Sequence, residues 1–528
     1  MMNLLLIINI ILIFTIIISG GFQISLGTIT IQAHGIRNPF HALVVLIILK
    51  IWFERKQKNV GIIEYTRRLL EKKYGFWAII SIFLLMAIWI KLSQHYTFHT
   101  GAYDLAMYDS ALSNTLKGNF MYTPWLGRSY FSEHCAPILL GILPLYVIHD
   151  GAGVLMIVQA MALVTSLIPL YHIARDTFKD VLFSFGIILA YLNYRYLLNG
   201  FMFDFHHEIF EPVLIFSLFF YLRRNRQIPY FIFLVLALAC KEDMPMYLFV
   251  FGIYACVIEK KWRFGLPTML ISLIWAIVAI KIIIPYSFPD GVQPSRFLGR
   301  WSQYGQTYGD VAWGVLSDPS AILGKRFFKN VWKLFSPLGF LPLANPVVSV
   351  LAVPPFLLNS TSNFDMQQSL SVHYALPILP FLFIALIGGM KNIFNKFPQR
   401  QKWLMALFSL YLLMMNVKFY LLFFESFAIS QHDVIGHRLL TRIPENVTIA
   451  AQTSIIPHLH RSLQVAMLPD HKDSEYIFFD TERSRWPMSS NDYHRLLENF
   501  LADEHYTLLS QEQGFYLFKR RDDAQMIN

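Results

Sequence analysis

The chain has 528 residues, of which 55% are hydrophobic, 16% aromatic and only 15% charged, and its mean hydropathy is +0.45. This composition excludes an ordinary soluble globular protein and is typical of a protein that crosses a membrane many times. Backbone amides in lipid must be hydrogen-bonded within the protein, and the apolar runs are too long for barrel strands, so the crossings are predicted to be helices.

The N-terminal segment MMNLLLIINIILIFTIIISGG has the length of a signal peptide but neither a basic start nor a small-residue cleavage site. We therefore expect an uncleaved anchor helix. The three cysteines, Cys135, Cys240 and Cys256, have no metal-ligand spacing and are too few for a disulfide framework. They are predicted to be small apolar fillers.

Apolar runs predict thirteen membrane crossings in chain order. Several runs are shorter than the roughly 20 residues that a perpendicular helix needs, so tilted, broken or re-entrant helices are expected among them. The predicted crossings are 3–19, 40–53, 76–92, 152–174, 181–198, 208–222, 228–240, 244–258, 264–287, 332–344, 346–358, 374–390 and 403–424.

The distribution of Lys and Arg predicts the orientation. Residues 54–73 form the densest basic run between two predicted crossings, which places this loop in the cytoplasm. The later short loops then alternate, and those on the opposite side, such as 199–207 and 359–373, contain no Lys or Arg. The N-terminus is therefore predicted to be cytoplasmic and the C-terminus outside. The net charge of +10 reflects cytoplasmic loops, and no nucleic acid partner is expected.

Two long loops, 93–151 and 288–331, are predicted to lie on the outer side. In the first loop, prolines interrupt the apolar segment HCAPILLGILPLYVIHDG, which is predicted to lie as a helix at the outer interface. The second loop is basic, and two interpretations stay open. Long loops can carry Lys and Arg on either side of the membrane without a functional reason, or the cations can form a site for an anion such as a lipid phosphate. Its cations are Arg296, Arg300, Lys325, Arg326 and Lys329.

After Phe424 the composition changes to that of a soluble domain. Alternating elements predict a small α/β domain at 425–528, outside the membrane, which follows an N-terminal extension at 1–75 and a membrane core at 76–424. It lacks a Gly-rich phosphate loop and a nucleophile elbow, so a lid or a docking surface is expected. The predicted elements are a helix at 427–442, a strand at 447–451, a short helix at 454–461, a strand at 476–480, a helix at 490–503 and the terminal strands YTLLSQ and GFYLFKR.

Five polar clusters are predicted to lie on the outer side, each beside the end of a crossing. An ionisable group there costs a few kcal/mol when it faces lipid and far less when it lines a water-filled cavity. Because all five clusters are predicted on the same side, we expect an outward-facing polar cavity. For any single residue an alternative stays open, in which it lies at the membrane interface and is paired with a neighbouring side chain. The clusters are Asp104 and Asp109; Glu133 and His134; Asp204, His206, His207 and Glu208; Lys241, Glu242 and Asp243; and His373 and Tyr374.

Some of these side chains are acceptable ligands for a divalent metal ion, so a metal is compatible with the sequence although no cofactor is required by it. None of the pairs has a diagnostic spacing such as H-E-x-x-H, and no serine lies in a nucleophile elbow. The candidate ligands are Asp104, His134, His206, His207 and Glu242.

An ordered series of motifs runs through the chain: YDLAMYDSAL, SEHCAP, FDFHHE, KED, HYALPI and IPENVTIAAQTSIIPHLHRS. In this order they resemble a large prokaryotic family of multi-pass membrane proteins related to the GT-C glycosyltransferases, which use polyprenyl-phosphate sugars. The resemblance covers about residues 76–520 and leaves the first 75 residues outside. It implies a GT-C-like, α-helical polytopic membrane protein that takes a polyprenyl-phosphate-linked sugar.

In GT-C enzymes an acidic residue of the first outer loop acts at the reaction centre, and by motif position the resemblance assigns this role to Asp104. Some relatives have a neighbouring acidic pair, whereas Tyr103 and Leu105 flank Asp104 and the next acid is Asp109. Both aspartates are therefore catalytic candidates. Whether one carboxylate or two take part stays open, as does whether the site holds a metal ion.

Sugar transfer from a lipid phosphate needs a base for the proton of the acceptor, and a carboxylate within hydrogen-bond reach can take it. It also needs cations or hydrogen-bond donors where charge grows on the departing phosphate. The candidate substrate-binding residues are His134, His206, His207, Lys241, Glu242, Arg300 and His373.

The chain is thus predicted to be a glycosyltransferase of the cytoplasmic (inner) membrane that acts on its outer face, with membrane lipid and an unidentified envelope acceptor as further partners. Two alternatives stay open. A transporter or flippase of a lipid-linked envelope precursor predicts polar residues near the midplane and an internal repeat, neither of which is evident in the sequence. A non-catalytic envelope-assembly scaffold predicts that Asp104 is dispensable.

Overall fold

The computed structural model of the protein describes residues 61–124, 126–288, 298–317, 323–415, 428–459, 464–471 and 474–521. It also describes the backbone of an N-terminal antiparallel hairpin, β1 (Phe22–Leu26) and β2 (Ile29–Ala33). The predicted crossings 3–19 and 40–53 lie almost entirely outside the described residues, as does the predicted boundary at 424.

Helices account for most of the described chain up to residue 415, and a two-residue pair of strands, β3 (Tyr122–Thr123) and β4 (Arg128–Ser129), lies between them. Numbered in chain order, the helices are α1 (Ile62–Glu71), α2 (Lys73–Tyr96), α3 (Met107–Leu116), α4 (Leu143–Ile148), α5 (Ala152–Phe178), α6 (Val181–Leu192), α7 (Arg195–Met202), α8 (Glu211–Arg223), α9 (Gln227–Leu238), α10 (Met244–Val257), α11 (Trp262–Tyr286), α12 (Tyr308–Ser317), α13 (Lys325–Phe335), α14 (Pro346–Ser360), α15 (Leu379–Lys396) and α16 (Gln401–Met415).

Three of these helices, α2, α5 and α11, are long and apolar enough to cross a membrane, which confirms three of the predicted crossings. A fourth is formed if α6 and α7 act as one broken span, because they pass the same test together but are bent by 53° at Asn193 and Tyr194. The described helices α9, α10 and α14 are apolar but shorter. The thirteen crossings therefore stay a prediction.

The predicted crossing 332–344 is wrong as a continuous helix. Helix α13 ends at Phe335, and two 3-10 turns, Ser336–Leu338 and Leu341–Ala344, follow it. Pro337 and Pro342 cannot donate to a continuing α-helix, and Gly339 has a φ of +60°, a conformation that favours glycine. The apolar composition of this segment predicted a helix, but its two prolines and its glycine impose turns.

The membrane helices share one large hydrophobic core, in which α5 packs against α2 and α8. In α15 every residue from Leu379 to Ile387 is buried, because other helices surround it. A helix that is apolar on all sides is stable only when it is enclosed in this way. The core therefore fixes the ends of α2, α7, α8 and α10, where the polar clusters lie.

The C-terminal residues form an α/β unit with a five-stranded sheet in the order β6-β5-β7-β9-β8. Strand β5 pairs in parallel with β6 and β7, while β9 pairs antiparallel with β7 and β8. The strands predicted at 447–451 and 476–480, the helices predicted at 427–442 and 490–503 and the two terminal strands are present with slightly different ends. Within the described residues, the short helix predicted at 454–461 is only a three-residue 3-10 turn, Ile456–His458. The edge strand β6 was missed because only two of its four residues are strongly apolar. The elements are α17 (Gln431–Leu440), β5 (Thr448–Ala451), β6 (Gln464–Met467), β7 (Tyr476–Asp480), α18 (Ser490–Ala502), β8 (Tyr506–Glu512) and β9 (Phe515–Arg520).

One face of this sheet packs on the segment that follows α2. Phe98, Ala102 and Ala106 are buried in the same hydrophobic cluster as Ile449 of β5 and Phe515 of β9. The α/β unit is thus joined to the segment that follows α2 through a common apolar core.

Candidate functional site

Asp104 lies on a wide helical turn, Ala102–Ala106, which leads directly into α3. The backbone N–H of Gly101 donates to Asp204 Oδ2 at 2.7 Å, and that of Ala102 donates to Thr453 Oγ1 at 3.0 Å. Turns with one extra residue per helical repeat are rare and occur often at functional sites. We call residues 101–106 the Asp104 turn.

The Asp104 carboxylate is partly accessible and faces a histidine. Its side chain is 28% exposed, and Oδ1 lies 3.8 Å from Nε2 of His206. Burial, together with the negative charge of Glu208, raises the pKa of Asp104 above its usual range, whereas the positive charges of His206 and His134 oppose the shift. A carboxyl group with a raised pKa is a better proton acceptor than an ordinary exposed aspartate.

Behind Asp104 lies a buried set of charges, the Glu208 cluster, which consists of His206, His207, Glu208, Lys241 and His373. Glu208 Oε1 accepts a hydrogen bond of 2.6 Å from Lys241 Nζ and lies 3.7 Å from His373 Nε2. The Nδ1–H of His206 donates to Glu208 Oε2, and the His206 ring stacks on His373 with centroids 3.6 Å apart. One carboxylate is thus surrounded by four basic side chains.

Local sequence explains why the Glu208 cluster forms. The FDFHHE segment connects the end of α7 with the start of α8 through a 3-10 turn, His207–Phe210, and Lys241 lies between α9 and α10. Burial opposes the ionisation of Glu208, but the positive charges of His206, His207 and Lys241 outweigh it and hold its pKa well below the usual range. A buried carboxylate remains charged when it is paired in this way.

Two tyrosines join the Glu208 cluster to helix α3 and the segment that follows it. The Tyr108 hydroxyl lies 2.8 Å from that of Tyr130, 3.0 Å from His207 Nδ1 and 3.2 Å from His206 Nε2. Tyr108 is on α3, one turn beyond Asp104. The network therefore fixes the histidine rings relative to the helix that carries Asp104.

The SEHCAP and KED motifs meet beside this network. Nδ1–H of His134 donates to Glu242 Oε1 at 2.8 Å, and the N–H of Cys135 donates to Glu242 Oε2 at 3.0 Å. The rings of His134 and His207 have their centroids 5.8 Å apart. His134 and Glu242 therefore form a second ion pair next to the Glu208 cluster.

Arg300 reaches the same region from the segment between α11 and α12. Its guanidinium donates to Gln367 Oε1 at 2.9 Å and to the Tyr374 hydroxyl at 3.5 Å, and it lies over the ring of Phe364. Tyr374 in turn packs on His373, with centroids 4.2 Å apart. Arg300 is thus linked to the Glu208 cluster through one aromatic side chain.

The two predicted catalytic aspartates have different surroundings. Asp109 is buried on α3 and accepts a hydrogen bond of 2.8 Å from the Tyr146 hydroxyl. The second acid near Asp104 in space is Asp204, which binds the N–H of Gly101. Burial and the charge of Asp104 raise the pKa of Asp204 to about 7.

These observations can be compared with known proteins. A family model described as "Predicted membrane protein (DUF2079)" matches residues 94–517. The chain belongs to this family. The match includes all the residues of the Asp104 turn and the Glu208 cluster, and it confirms the family relation that the ordered motifs indicated. No match was found among curated proteins.

A solved structure with a similar fold supports the same relation. The crystal structure of ArnT from Cupriavidus metallidurans bound to undecaprenyl phosphate aligns with a TM-score of 0.54 and 11% sequence identity, over 86% of this chain and 99% of that one. ArnT in the apo state, from the same organism, aligns with a TM-score of 0.49 and 10% identity, over 84% and 98% of the two chains. ArnT is a GT-C glycosyltransferase, and the likeness shows a common membrane fold.

Sequence reasoning overlooked Lys91 and Gln94, and it named Asp204 in a polar cluster without including it among the candidate catalytic or substrate-binding residues. Lys91 is fully buried at the end of α2, and its ammonium donates to Gln94, to Phe201 O at 2.9 Å and to Phe203 O at 2.8 Å. It therefore anchors the end of α7, just before Asp204. A lysine inside an apolar run was the available signal, because a charge there is costly and usually functional.

Metal binding was left open by the sequence, and among the described residues one group, His206, Glu208 and His373, brings three ligand atoms within 4.8 Å of one another. Two histidines and a carboxylate are a common zinc donor set. Here, however, Lys241 Nζ already contacts Glu208 Oε1 at 2.6 Å. The ammonium takes the place that a cation would need beside Glu208, so the residues do not fit a resident metal.

Proposed function

We propose that the protein is a GT-C-type glycosyltransferase that transfers a sugar from a polyprenyl-phosphate donor to an envelope acceptor at the outer face of the cytoplasmic membrane. The observation that carries the proposal is the position of Asp104, a partly exposed carboxylate with a raised pKa in front of a buried wall formed by the Glu208 cluster. The fold shared with ArnT, whose structure contains undecaprenyl phosphate, supports a lipid phosphate as the donor class.

In the proposed reaction, Asp104 accepts the proton from the acceptor nucleophile, whose heteroatom attacks the anomeric carbon of the donor sugar. The bond from that carbon to the phosphate oxygen breaks, and its electron pair leaves with the polyprenyl phosphate. A general base of this kind contributes typically 10²–10⁴-fold to a rate. Asp109 is not assigned this role, because it is buried and accepts a hydrogen bond from Tyr146.

Negative charge on the departing phosphate requires nearby positive charge. His206 and Arg300 are the proposed donors to this phosphate, because His206 lies 3.8 Å from Asp104 and Arg300 is held next to His373 through Tyr374. Lys241 is assigned a different role, since its ammonium is paired with Glu208. It contributes to the positive potential of the wall without direct contact with the leaving group.

The test compares envelope glycans in a strain that lacks the gene and carries wild type, Asp104→Asn or Asp109→Asn. We expect wild type and Asp109→Asn to restore the glycans and Asp104→Asn to fail at equal abundance in the membrane. Normal glycans with Asp104→Asn would contradict catalysis and leave the flippase or scaffold interpretation. Donor binding is tested separately by thermal stabilisation of the purified protein with undecaprenyl phosphate, with undecaprenol as the matched lipid lacking phosphate.

A further inference from the structure

The start of the Asp104 turn is held from two sides by side chains that are distant in sequence. The N–H of Gly101 donates to Asp204 of the membrane part, and the next N–H, of Ala102, donates to Thr453 of the α/β unit. Each peptide unit is planar, so two hydrogen bonds at consecutive amides define the orientation of the backbone that enters the turn. Asp104 follows two residues later.

The space around Gly101 shows how closely these partners approach. A Cβ atom added at this position would lie 3.2 Å from Asp204 Oδ2 and 3.3 Å from Thr453 Oγ1. Both distances are shorter than ordinary van der Waals contacts. A larger residue here would therefore require the Asp204 and Thr453 side chains to move by a few tenths of an ångström, whereas the backbone angles do not favour glycine, since φ is −126°.

Thr453 belongs to the QTSIIPHLH motif, which directly follows strand β5 and is rigidly supported. Gln452 Oε1 accepts from Asp480 N and from the Tyr493 hydroxyl, both at 2.8 Å, and its amide nitrogen donates to Ser484 O at 3.0 Å. Thr453 itself is buried. The hydroxyl therefore projects from a loop whose backbone is fixed by the sheet.

Further contacts from the same α/β unit surround the approach to the turn. Arg483 Nε donates to Thr97 O at 2.9 Å, and His437 Nε2 lies 2.8 Å from Tyr96 O. The rings of His95 and His458 are stacked with centroids 4.2 Å apart. The segment between α2 and the Asp104 turn thus has its polar and aromatic partners in the α/β unit.

We propose that Thr453 is a positioning residue for Asp104, so that the α/β unit completes the catalytic centre of the membrane part and is not only a lid or docking surface. The Thr453 hydroxyl accepts the Ala102 N–H and holds the turn in the orientation that directs the Asp104 carboxylate toward His206. This inference rests on the function proposed for Asp104.

The experiment compares Thr453→Val, which removes the acceptor oxygen at nearly constant volume, with Thr453→Ser, which retains it. Thr448→Val is the matched control, because Thr448 Oγ1 accepts the N–H of Glu475 at 2.8 Å on the same sheet, away from the turn. In full-length protein, hydrogen exchange of peptides that contain Ala102 should accelerate in Thr453→Val alone. Thr453→Ala serves as a second variant if the valine protein does not accumulate.

Activity provides a second readout. We expect kcat to fall 10- to 100-fold in Thr453→Val, as for a catalytic group displaced by about 1 Å, with KM little changed. Thr453→Ser should retain wild-type kcat, and Thr448→Val should do the same. The acidic midpoint of the pH profile should shift in Thr453→Val, because the surroundings of Asp104 change.

The outcomes separate this inference from the proposed function. Unchanged hydrogen exchange at Ala102 in Thr453→Val and Thr453→Ala, or an equal loss of activity in Thr448→Val, would overturn the positioning role. If Asp104→Asn retains full activity, the catalytic proposal fails, whereas the exchange comparison still decides whether Thr453 holds the turn.

Discussion

The Glu208 cluster and the Asp104 turn are neighbours, yet their charges are satisfied in different ways. In the cluster, side chains neutralise one another: Glu208 is 3% exposed and Lys241 is 12% exposed, and the two are in direct contact. In the turn, hydrogen bonds hold the backbone, and the Asp104 carboxylate faces His206 and is 28% exposed. The paired and buried side chains form a scaffold, whereas the proposed catalytic carboxylate keeps part of its surface accessible.

The Glu208 cluster and the Asp104 turn also differ in which parts of the protein hold them in place. The Glu208 cluster consists of residues from the membrane part, and its partners come from helix ends that the hydrophobic core fixes. The Asp104 turn is held by that part and by the α/β unit together. Changes in the cluster are therefore expected to affect folding first, and changes around the turn to affect activity first.

The largest effect on stability is expected for Glu208→Gln. It leaves Lys241 buried without its carboxylate, and removal of one partner from a buried ion pair costs about 3–5 kcal/mol. Thermal unfolding in detergent measures the loss. The double variant Glu208→Gln with Lys241→Met should recover part of it, and a single variant as stable as wild type would show that Glu208 is not the structural centre of the cluster.

Around the turn, Arg483→Met is expected to cost about 2 kcal/mol, within the range for hydrogen bonds to charged groups. Arg483 donates to Asp433 Oδ1 at 2.6 Å and to Thr97 O at 2.9 Å, and Asp433 is fully buried. Chemical unfolding followed by fluorescence measures the change. Arg483→Lys retains the charge and should lose less; equal losses would indicate that packing, and not the ion pair, matters.

This pair also predicts a pH dependence of stability. Burial opposes ionisation of Asp433, but hydrogen bonds from Ser430 and Arg483 outweigh it and lower its pKa below 3.8. Because the folded-state pKa is the lower one, the stabilisation is present above the unfolded-state pKa and is lost as pH falls through the folded-state pKa. In Arg483→Met the acid-induced loss should be smaller, as unfolding titrations between neutral pH and about pH 3 would show.

Activity should depend on pH through Asp104. Its pKa is raised chiefly by burial, and a general base acts only when deprotonated, so the rate should fall about tenfold per pH unit below that pKa. The acidic limb should therefore lie above the range of an ordinary aspartate. A profile that stays flat down to pH 4 would exclude Asp104 as the base.

The smallest effect is expected for Tyr146→Phe, which removes one hydrogen bond to the buried carboxylate of Asp109. We expect a loss of about 1 kcal/mol in stability with unchanged kcat. Thermal unfolding and initial rates measured on the same preparation test this. A large fall in kcat without a loss of stability would return Asp109 to the catalytic candidates.

Much of the fold was predictable because apolar length and hydrophobic periodicity are local properties. Helices α2, α5 and α11 are long and apolar enough to cross a membrane, and short runs rich in apolar and aromatic residues identified β7 and β9. The run at 332–344 failed for an equally local reason, since Pro337, Gly339 and Pro342 impose turns within an apolar segment.

The sequence by itself determined a polytopic helical protein with a C-terminal α/β unit, and its ordered motifs indicated the family and Asp104. Only the tertiary structure decided which acid accompanies Asp104, that Lys241 neutralises Glu208, and that Thr453 reaches Ala102. The physical reason is distance along the chain. Charge pairs and hydrogen bonds between residues 33 to 351 positions apart leave no periodic trace, because they depend on how helix ends are brought together by packing.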